Sequence, residues 1–370
     1  MTHLDFIKAF YERPHTATSI VAEVDSVLGS RPREIKATAI PFSTARIPSV
    51  DFVGQTSKTR KIKLLKDSEG IHLFELKYTY KDGKHKRRDS GKFYVYEHPT
   101  YRHVFVAISI EEGSFVRRGL IPFLRNQFPH VVVGFLPQAR LNRLLSEFRA
   151  DHEFSELIIS RATQRLRLPE EGTHRRVMPV MSWPDMALDE AIDWLVEHNG
   201  WFQSVQFGAN RDGRTMTQVS VTREGVVRCD YLFEQVWKSF VLPLCKMHNA
   251  NFNLFSKRGR RENADLAARP LAVKFENERF EDVEENNNFI QAMRSMRTAS
   301  VSVLHGNPYI HLGVIDYMDG SAFDLWVLDS QELIIVPQMH GSVGSIKRLV
   351  NHVFDTYAEG EVADYTAGTT

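Results

Sequence analysis

Asp67, Glu75 and Lys77 stand in a D-x7-E-x-K spacing. Two carboxylates so placed can hold a divalent cation, Mg2+ or Mn2+, while the lysine orients or activates an attacking water. Strand alternation puts Glu75 and Lys77 on one face. A chain this rich in charge also produces such a spacing by coincidence, and the pair then forms the solvated side of a hairpin.

A second group is larger. Lys77, Lys81, Lys84, Lys86, Arg87, Arg88 and Lys92 are interleaved with Phe74, Tyr78, Tyr80, Phe93, Tyr94 and Tyr96. Cations of this kind neutralise phosphates, and rings beside them stack on exposed bases. Arg117 and Arg118, and the run SKRGRR with Arg258, Arg260 and Arg261, extend the basic track. The competing reading is that alternate rings form a core while the lysines protect an edge strand from aggregation. Residues 57–92 hold 12 Lys and Arg against 5 Asp and Glu, and residues 115–167 carry nine arginines, no lysine and four acids. Guanidinium forks match phosphate oxygens two at a time, although solvated helix faces with paired acids account for the same arginines. From Glu276 onward the sign reverses, with 15 acidic and 5 basic residues. An acidic segment is repelled by phosphate and is suited to a basic protein surface or to self-association.

Other motifs are weaker. HGSVG, His340 to Gly344, departs from the nucleophile elbow because His340 replaces its first glycine. It reads either as an anion site at a helix start, assisted by Lys347, or as a turn with a serine cap. Its spacing fails the P-loop, and no strand is followed by G-x-G-x-x-G, so neither nucleotide hydrolysis nor a dinucleotide cofactor is expected. Cys229, Cys245 and His248 have no C-x-x-C pair among them, and the cysteines read as small buried hydrophobes.

These residues need elements to carry them. Helical spacing marks His3 to Tyr11 and Ser19 to Leu28, after which a period of two gives strands at Lys61–Leu65, Ile71–Tyr80, Lys92–Tyr96 and Val104–Ile110. KDGK at Lys81 to Lys84 predicts a long basic hairpin. Phe115 to Phe128 follows as a helix, Val131–Phe135 as a strand, and Pro137 opens a helix bearing Leu141, Leu144, Leu145 and Phe148. A linker is read after Leu168. Leu188 to Val196 begins a helix, three-strand meander and helix, and the same order recurs from Phe289 to Tyr357. The N-terminal meander with its helix from Phe115 makes a third unit of this type. The expected fold class is therefore α+β, with tandem antiparallel meander plus helix units: 1–168 basic, 183–262, and 270–360 acidic.

The element order, with EHNGWF and LIIVP as landmarks, resembles the type III secretion chaperone-like (YbjN-like) modules over about a third of the chain. That resemblance implies protein partners and pairing through sheets or helices, and it brings no catalytic residues. The D-x7-E-x-K spacing in turn resembles that of restriction-endonuclease-like nucleases.

At 370 residues, 42% hydrophobic and 25% charged, the composition is that of a globular chain and excludes collagen-like and largely disordered classes. No apolar run nears the roughly 18 to 20 residues of a membrane span. The opening MTHLDFIKAFYERPH, with Asp5 and Glu12, lacks the pattern of a secretory or transit peptide. Two cysteines make no disulfide framework, so a cytoplasmic home is expected. The functional expectation is an adaptor or scaffold whose basic N-terminal half binds nucleic acid and whose acidic C-terminal unit docks a protein or another copy. No cofactor and no catalysis are expected of it. The alternatives are a metal-dependent nuclease using Asp67, Glu75 and Lys77, and a chaperone-like adaptor without nucleic acid.

Overall fold

The computed structural model describes residues 3–30, 34–52, 57, 59–83, 85–127, 129–166, 186–197, 200–256, 269–338 and 341–366. The chain is α+β and divides into two compact units, 1–249 and 250–370. Among the described residues no helix is long and apolar enough to cross a membrane.

The first unit is built on one large sheet. Its strands are β1 (Ala37–Thr44), β2 (Arg60–Ser68), β3 (Ile71–Asp82), β4 (His85–Glu97), β5 (Val104–Ser109), β6 (Val131–Val133), β7 (Glu156–Leu166), β8 (Met186–Ala187), β9 (Gly200–Arg211), β10 (Arg214–Thr222) and β11 (Val227–Cys229). They run in the order β2-β3-β4-β5-β1-β11-β10-β9-β7-β8, with β6 also on β1. All eight residues of β1 are buried, as expected of a strand covered on both faces. Ala37 and Ala39 enter one core, and Ile40 and Phe42 the opposite one. One edge of β1 pairs with β5, while the other is shared by β11 at Ala37–Ala39 and β6 at Phe42–Thr44. The segments read from sequence as 1–168 and 183–262 thus contribute strands to one sheet.

Read outward from β1, the order is β5-β4-β3 on one side and β11-β10-β9 on the other, and each meander leads into a helix. The helix 113–125 covers one face through Phe115, Leu120, Phe123 and Leu124. The helix that runs from Phe233 to Ser256 places Phe233, Val236, Phe240 and Leu244 in the core of the opposite face. A half-turn about β1 exchanges the two arrangements, including the face that each helix covers. Both helices contain a π turn, Val116–Leu120 and Trp237–Val241, closed by Ile121 N–H to the Val116 carbonyl and by Leu242 N–H to the Trp237 carbonyl. Pro122 and Pro243 follow at the same offset. A proline has no N–H for the carbonyl four residues back, and a local i→i+5 turn accommodates that loss.

The second unit has β12 (Leu271–Lys274), β13 (Ala299–His305), β14 (Ile310–Asp316), β15 (Ala322–Asp329), β16 (Glu332–Pro337) and β17 (Glu361–Asp364), ordered β13-β14-β15-β16-β12-β17. Its helices are Val283–Arg294 and Val343–Thr356. The connectivity of β1 to β6 recurs here. A first strand returns to pair with the last strand of a four-strand meander, and the strand after the following helix pairs with that first strand.

Gly91 on β4 shows how closely the helix 113–125 is seated. A Cβ there would lie 2.4 Å from Phe115 Cδ2 and 2.6 Å from Cγ, against a buried ring. Gly91→Ala is expected to destabilise the protein by about 1–3 kcal/mol through overpacking. Gly313→Ala on β14, where a Cβ meets nothing within 4 Å, is the neutral control. Urea unfolding of both variants checks the contrast, and equal midpoints would mean that Phe115 is loosely held.

Candidate nucleic-acid interface

Alternation along β3 separates two sets of side chains. Phe74, Leu76 and Tyr78 enter the core under the helix 113–125. Ile71 and Leu73 enter the opposite core with Phe10, Tyr11 and Leu28 of the N-terminal helices His3–Glu12 and Ile20–Ser30. Past Leu73 that second face is uncovered, and Glu75, Lys77, Thr79 and Lys81 emerge from it, both lysines exposed. The β3–β4 register places Lys92 opposite Glu75, Ser90 opposite Lys77, Arg88 opposite Thr79 and Lys86 opposite Lys81. From β2, Lys61 faces Lys77 and Lys63 faces Glu75.

Seven cations, Lys61, Lys63, Lys77, Lys81, Lys86, Arg88 and Lys92, therefore share one open face with a single carboxylate from their own strands, and the Lys92 backbone N–H donates to the Glu111 carboxylate at 3.0 Å. The face is three strands wide, about 10 Å, and about 20 Å long. That carboxylate, Glu75, lies 3.3 Å from Lys77 Nζ. Lys61, Lys63, Lys81, Lys86 and Arg88 make no ion pair among the described residues. Two of the cross-strand pairs, Lys61 with Lys77 and Lys81 with Lys86, set like charges directly opposite each other, which destabilises a sheet. A shallow groove of about 510 Å³ runs over this region, lined by Lys61, Lys77, Thr79, Lys86, Arg88 and Ser90 among others.

The other acids of these strands lie on the opposite face. Asp82 pairs with Arg87 at 2.9 Å, and Asp89 accepts the Tyr78 hydroxyl at 3.0 Å. Burial first, and then the hydrogen bond to Asp89, push the Tyr78 hydroxyl well above its usual range. Asp67 lies 2.5 Å from His72 Nδ1, whose Nε2 is 2.8 Å from Glu97. Lys66 is occupied elsewhere: its Nζ donates to the carbonyls of Tyr11 (3.2 Å), Glu12 (2.9 Å) and Arg13 (2.9 Å) at the end of the first helix.

Of the residues picked out in sequence, the structure thus brings Lys77, Lys81, Lys86, Arg88 and Lys92 together and adds Lys61 and Lys63. The overlooked pair carried a signal, since K-x-K at Lys61 and Lys63 has the same period of two. Arg87 sits on the opposite face with Asp82. Arg118 stands with its guanidinium 4.5 Å from the Tyr80 ring, and Arg117 donates to the Gly113 carbonyl at 3.3 Å, both on the helix that covers that other face. Arg125, Arg143 and Arg149 pair with Glu224, Glu147 and Asp189. Lys84, Arg258, Arg260 and Arg261 lie outside the described residues, as does His340.

Two readings need correction, and of the two offered for HGSVG the serine cap is the one observed. Phe74, Phe93, Tyr78 and Tyr94 are all at most 3% exposed, so these rings pack the cores and offer no platform for bases. Asp67 contacts His72 on one face of the sheet while Glu75 projects from the other, so the two carboxylates cannot share a cation with Lys77. Among the described residues no three His, Cys, Asp or Glu side chains converge as metal ligands. In the HGSVG segment, Ser342 caps the helix Val343–Thr356 by accepting the Ser345 N–H at 3.0 Å. Ser342 and Ser345 also donate their hydroxyls to Asp319. Burial alone would raise the Asp319 pKa, but hydrogen bonds from Ser342, Ser321 and Ser345 outweigh it and hold the carboxyl below its ordinary value. A carboxylate already occupies that helix start, and Lys347 is buried, so phosphate has no place there.

Cys229 and Cys245 are buried free thiols whose pKa values burial raises, Cys245 to about 12. Neither is a thiolate near neutral pH. Neither a protein-family model nor a curated protein matches this chain.

Proposed function

We propose that the chain is a nucleic-acid-binding adaptor that holds the phosphate backbone on the open face of β2, β3 and β4. The observation that carries this reading is the sorting of charge across the sheet. Cations gather on the uncovered side, in direct like-charge pairs that cost stability, while the acids of the same strands other than Glu75 turn to the other side. A polyanion relieves that repulsion. Edge protection alone does not account for it, because it requires charges on an edge strand and not like charges set directly opposite one another across β2–β3 and β3–β4.

Fluorescence anisotropy with labelled nucleic acid of mixed sequence, between 50 and 300 mM salt, tests the proposal. Neutralising about four to six phosphates gives a log–log slope of about −4 to −5. A flat salt response would favour an adaptor that does not engage nucleic acid.

A protein-docking role for the acidic C-terminal unit rests on a separate observation. The face of its sheet opposite Leu312, Leu325 and Ile335 carries Leu328, 63% exposed and two residues along β15 from a His311–Trp326 stack at 3.8 Å, and Ile315, 52% exposed and four residues along β14 from that stack. Exposed apolar side chains on a sheet face suit a protein partner or a second copy. Ile315→Asp with Leu328→Asp is expected to abolish any self-association measured by light scattering at micromolar concentration. An unchanged mass would leave that face out of the assembly.

A further inference from the structure

We infer that the ligand of the lysine face is duplex DNA, with the far end of the β3–β4 hairpin entering the major groove. This deepens the nucleic-acid reading and rests on it. The pairing of β2 with β3 ends at Arg60 and Tyr78, with one further bond from Thr79 N–H to the Thr59 carbonyl at 2.9 Å. Beyond it, β3 and β4 pair only with each other, through Thr79–Arg88, Tyr80–Arg87, Lys81–Lys86 and Asp82–His85. His85 to Ser90 are exposed at every position.

The hairpin end is thus a two-stranded ribbon about 13 Å long, its strands about 4.8 Å apart. The major groove of B-form DNA is about 12 Å wide and admits a two-stranded ribbon. Lys81, Lys86 and Arg88 lie on the ribbon, and Lys61, Lys63, Lys77 and Lys92 lie on the same face nearer the core, where the phosphates bordering the groove would rest. Single strands are held by stacking on exposed rings; here Phe74, Tyr78, Phe93 and Tyr94 are in the cores, and the half-buried Tyr80 packs on the other face under the Arg118 guanidinium. A-form RNA has a major groove too deep and narrow for side chains to read. A cation face without rings therefore favours the denser charge of a duplex over a single strand, and the wider major groove favours DNA over RNA.

The test compares three probes of equal phosphate number at one salt concentration: a 20-base-pair DNA duplex, the RNA duplex of the same sequence, and a 40-nucleotide unstructured DNA strand. The DNA duplex is expected to bind at least about tenfold more tightly than either. Lys81→Ala with Lys86→Ala and Arg88→Ala should remove most of that preference, whereas Lys61→Ala with Lys63→Ala should weaken all three probes alike. RNA duplex bound as tightly as DNA duplex overturns groove entry. Single strand bound as tightly overturns the duplex. Either result leaves the cation face standing, provided binding falls with salt. Absence of salt-dependent binding to all three probes removes the nucleic-acid reading itself.

Discussion

Replacing Lys77, Lys81, Lys86 and Arg88 together by alanine will weaken nucleic-acid binding by about two to three orders of magnitude near 100 mM salt. The log–log salt slope will become shallower by about three to four. Four of the seven cations on the face are removed, and each one in contact with a phosphate releases close to one counterion. Stability will change little, because all four side chains are exposed and surface substitutions usually stay within about 0.5 kcal/mol. The Lys77–Glu75 pair is solvent-screened, and its loss is offset by relief of the Lys61–Lys77 and Lys81–Lys86 repulsions. Circular dichroism and thermal melting separate the two effects. A variant that melts like the wild type and still binds with the wild-type slope would remove the face from the interaction.

The second large effect belongs to the C-terminal unit. Lys347, on the helix Val343–Thr356, is 4% exposed, and burial pushes its ammonium pKa down to about 7. In the unfolded chain a lysine titrates near 10.4. Between about pH 7 and 10 the unfolded chain therefore binds more protons than the folded one, and stability rises with pH across that window. Below pH 7 the whole of this difference is present as a cost to folding, about 5 kcal/mol in order of magnitude. Lys347→Met is expected to raise the melting temperature of this unit at pH 7 and to flatten its climb between pH 7 and 10. Calorimetry of the two proteins over that range checks this. Parallel pH profiles would show that the Lys347 ammonium carries no such cost.

Much of this was legible in the residues. Within each strand the cations are separated by two or four positions, at Lys61 and Lys63, at Lys77 and Lys81, and at Lys86, Arg88 and Lys92. That period alone puts each set on one face of its strand. Which face it is, and what the neighbouring strands bring to it, depends on register. Register was not legible because a bulge between Leu64 and Lys66 shifts β2 against β3 and carries Asp67 to the His72 side. The rings misled for a related reason. Phe74 and Tyr78 look like stacking residues beside lysines, yet alternation sends them to the core under the helix 113–125. The union of the two N-terminal segments into one sheet rests on two pairings, β7 with β9 and β1 with β11; the second joins residues nearly two hundred apart, and no local pattern encodes such a contact. One clue was overlooked. GLIPFL (119–124) and FVLPLC (240–245) place a proline at the same distance from a π turn, and they mark the repeat better than element order does.

The most direct test removes equal charge from two places. In one variant Lys81, Lys86 and Arg88 become alanine. In the other, Arg125, Arg143 and Arg149 do, each of which already has a carboxylate partner. Salt-dependent binding to one DNA duplex is then measured for both. The first variant should lose at least about tenfold in affinity and about three from the log–log slope, and the second should keep the wild-type slope. Equal losses in the two, or none in the first, would show that binding does not depend on the gathered face.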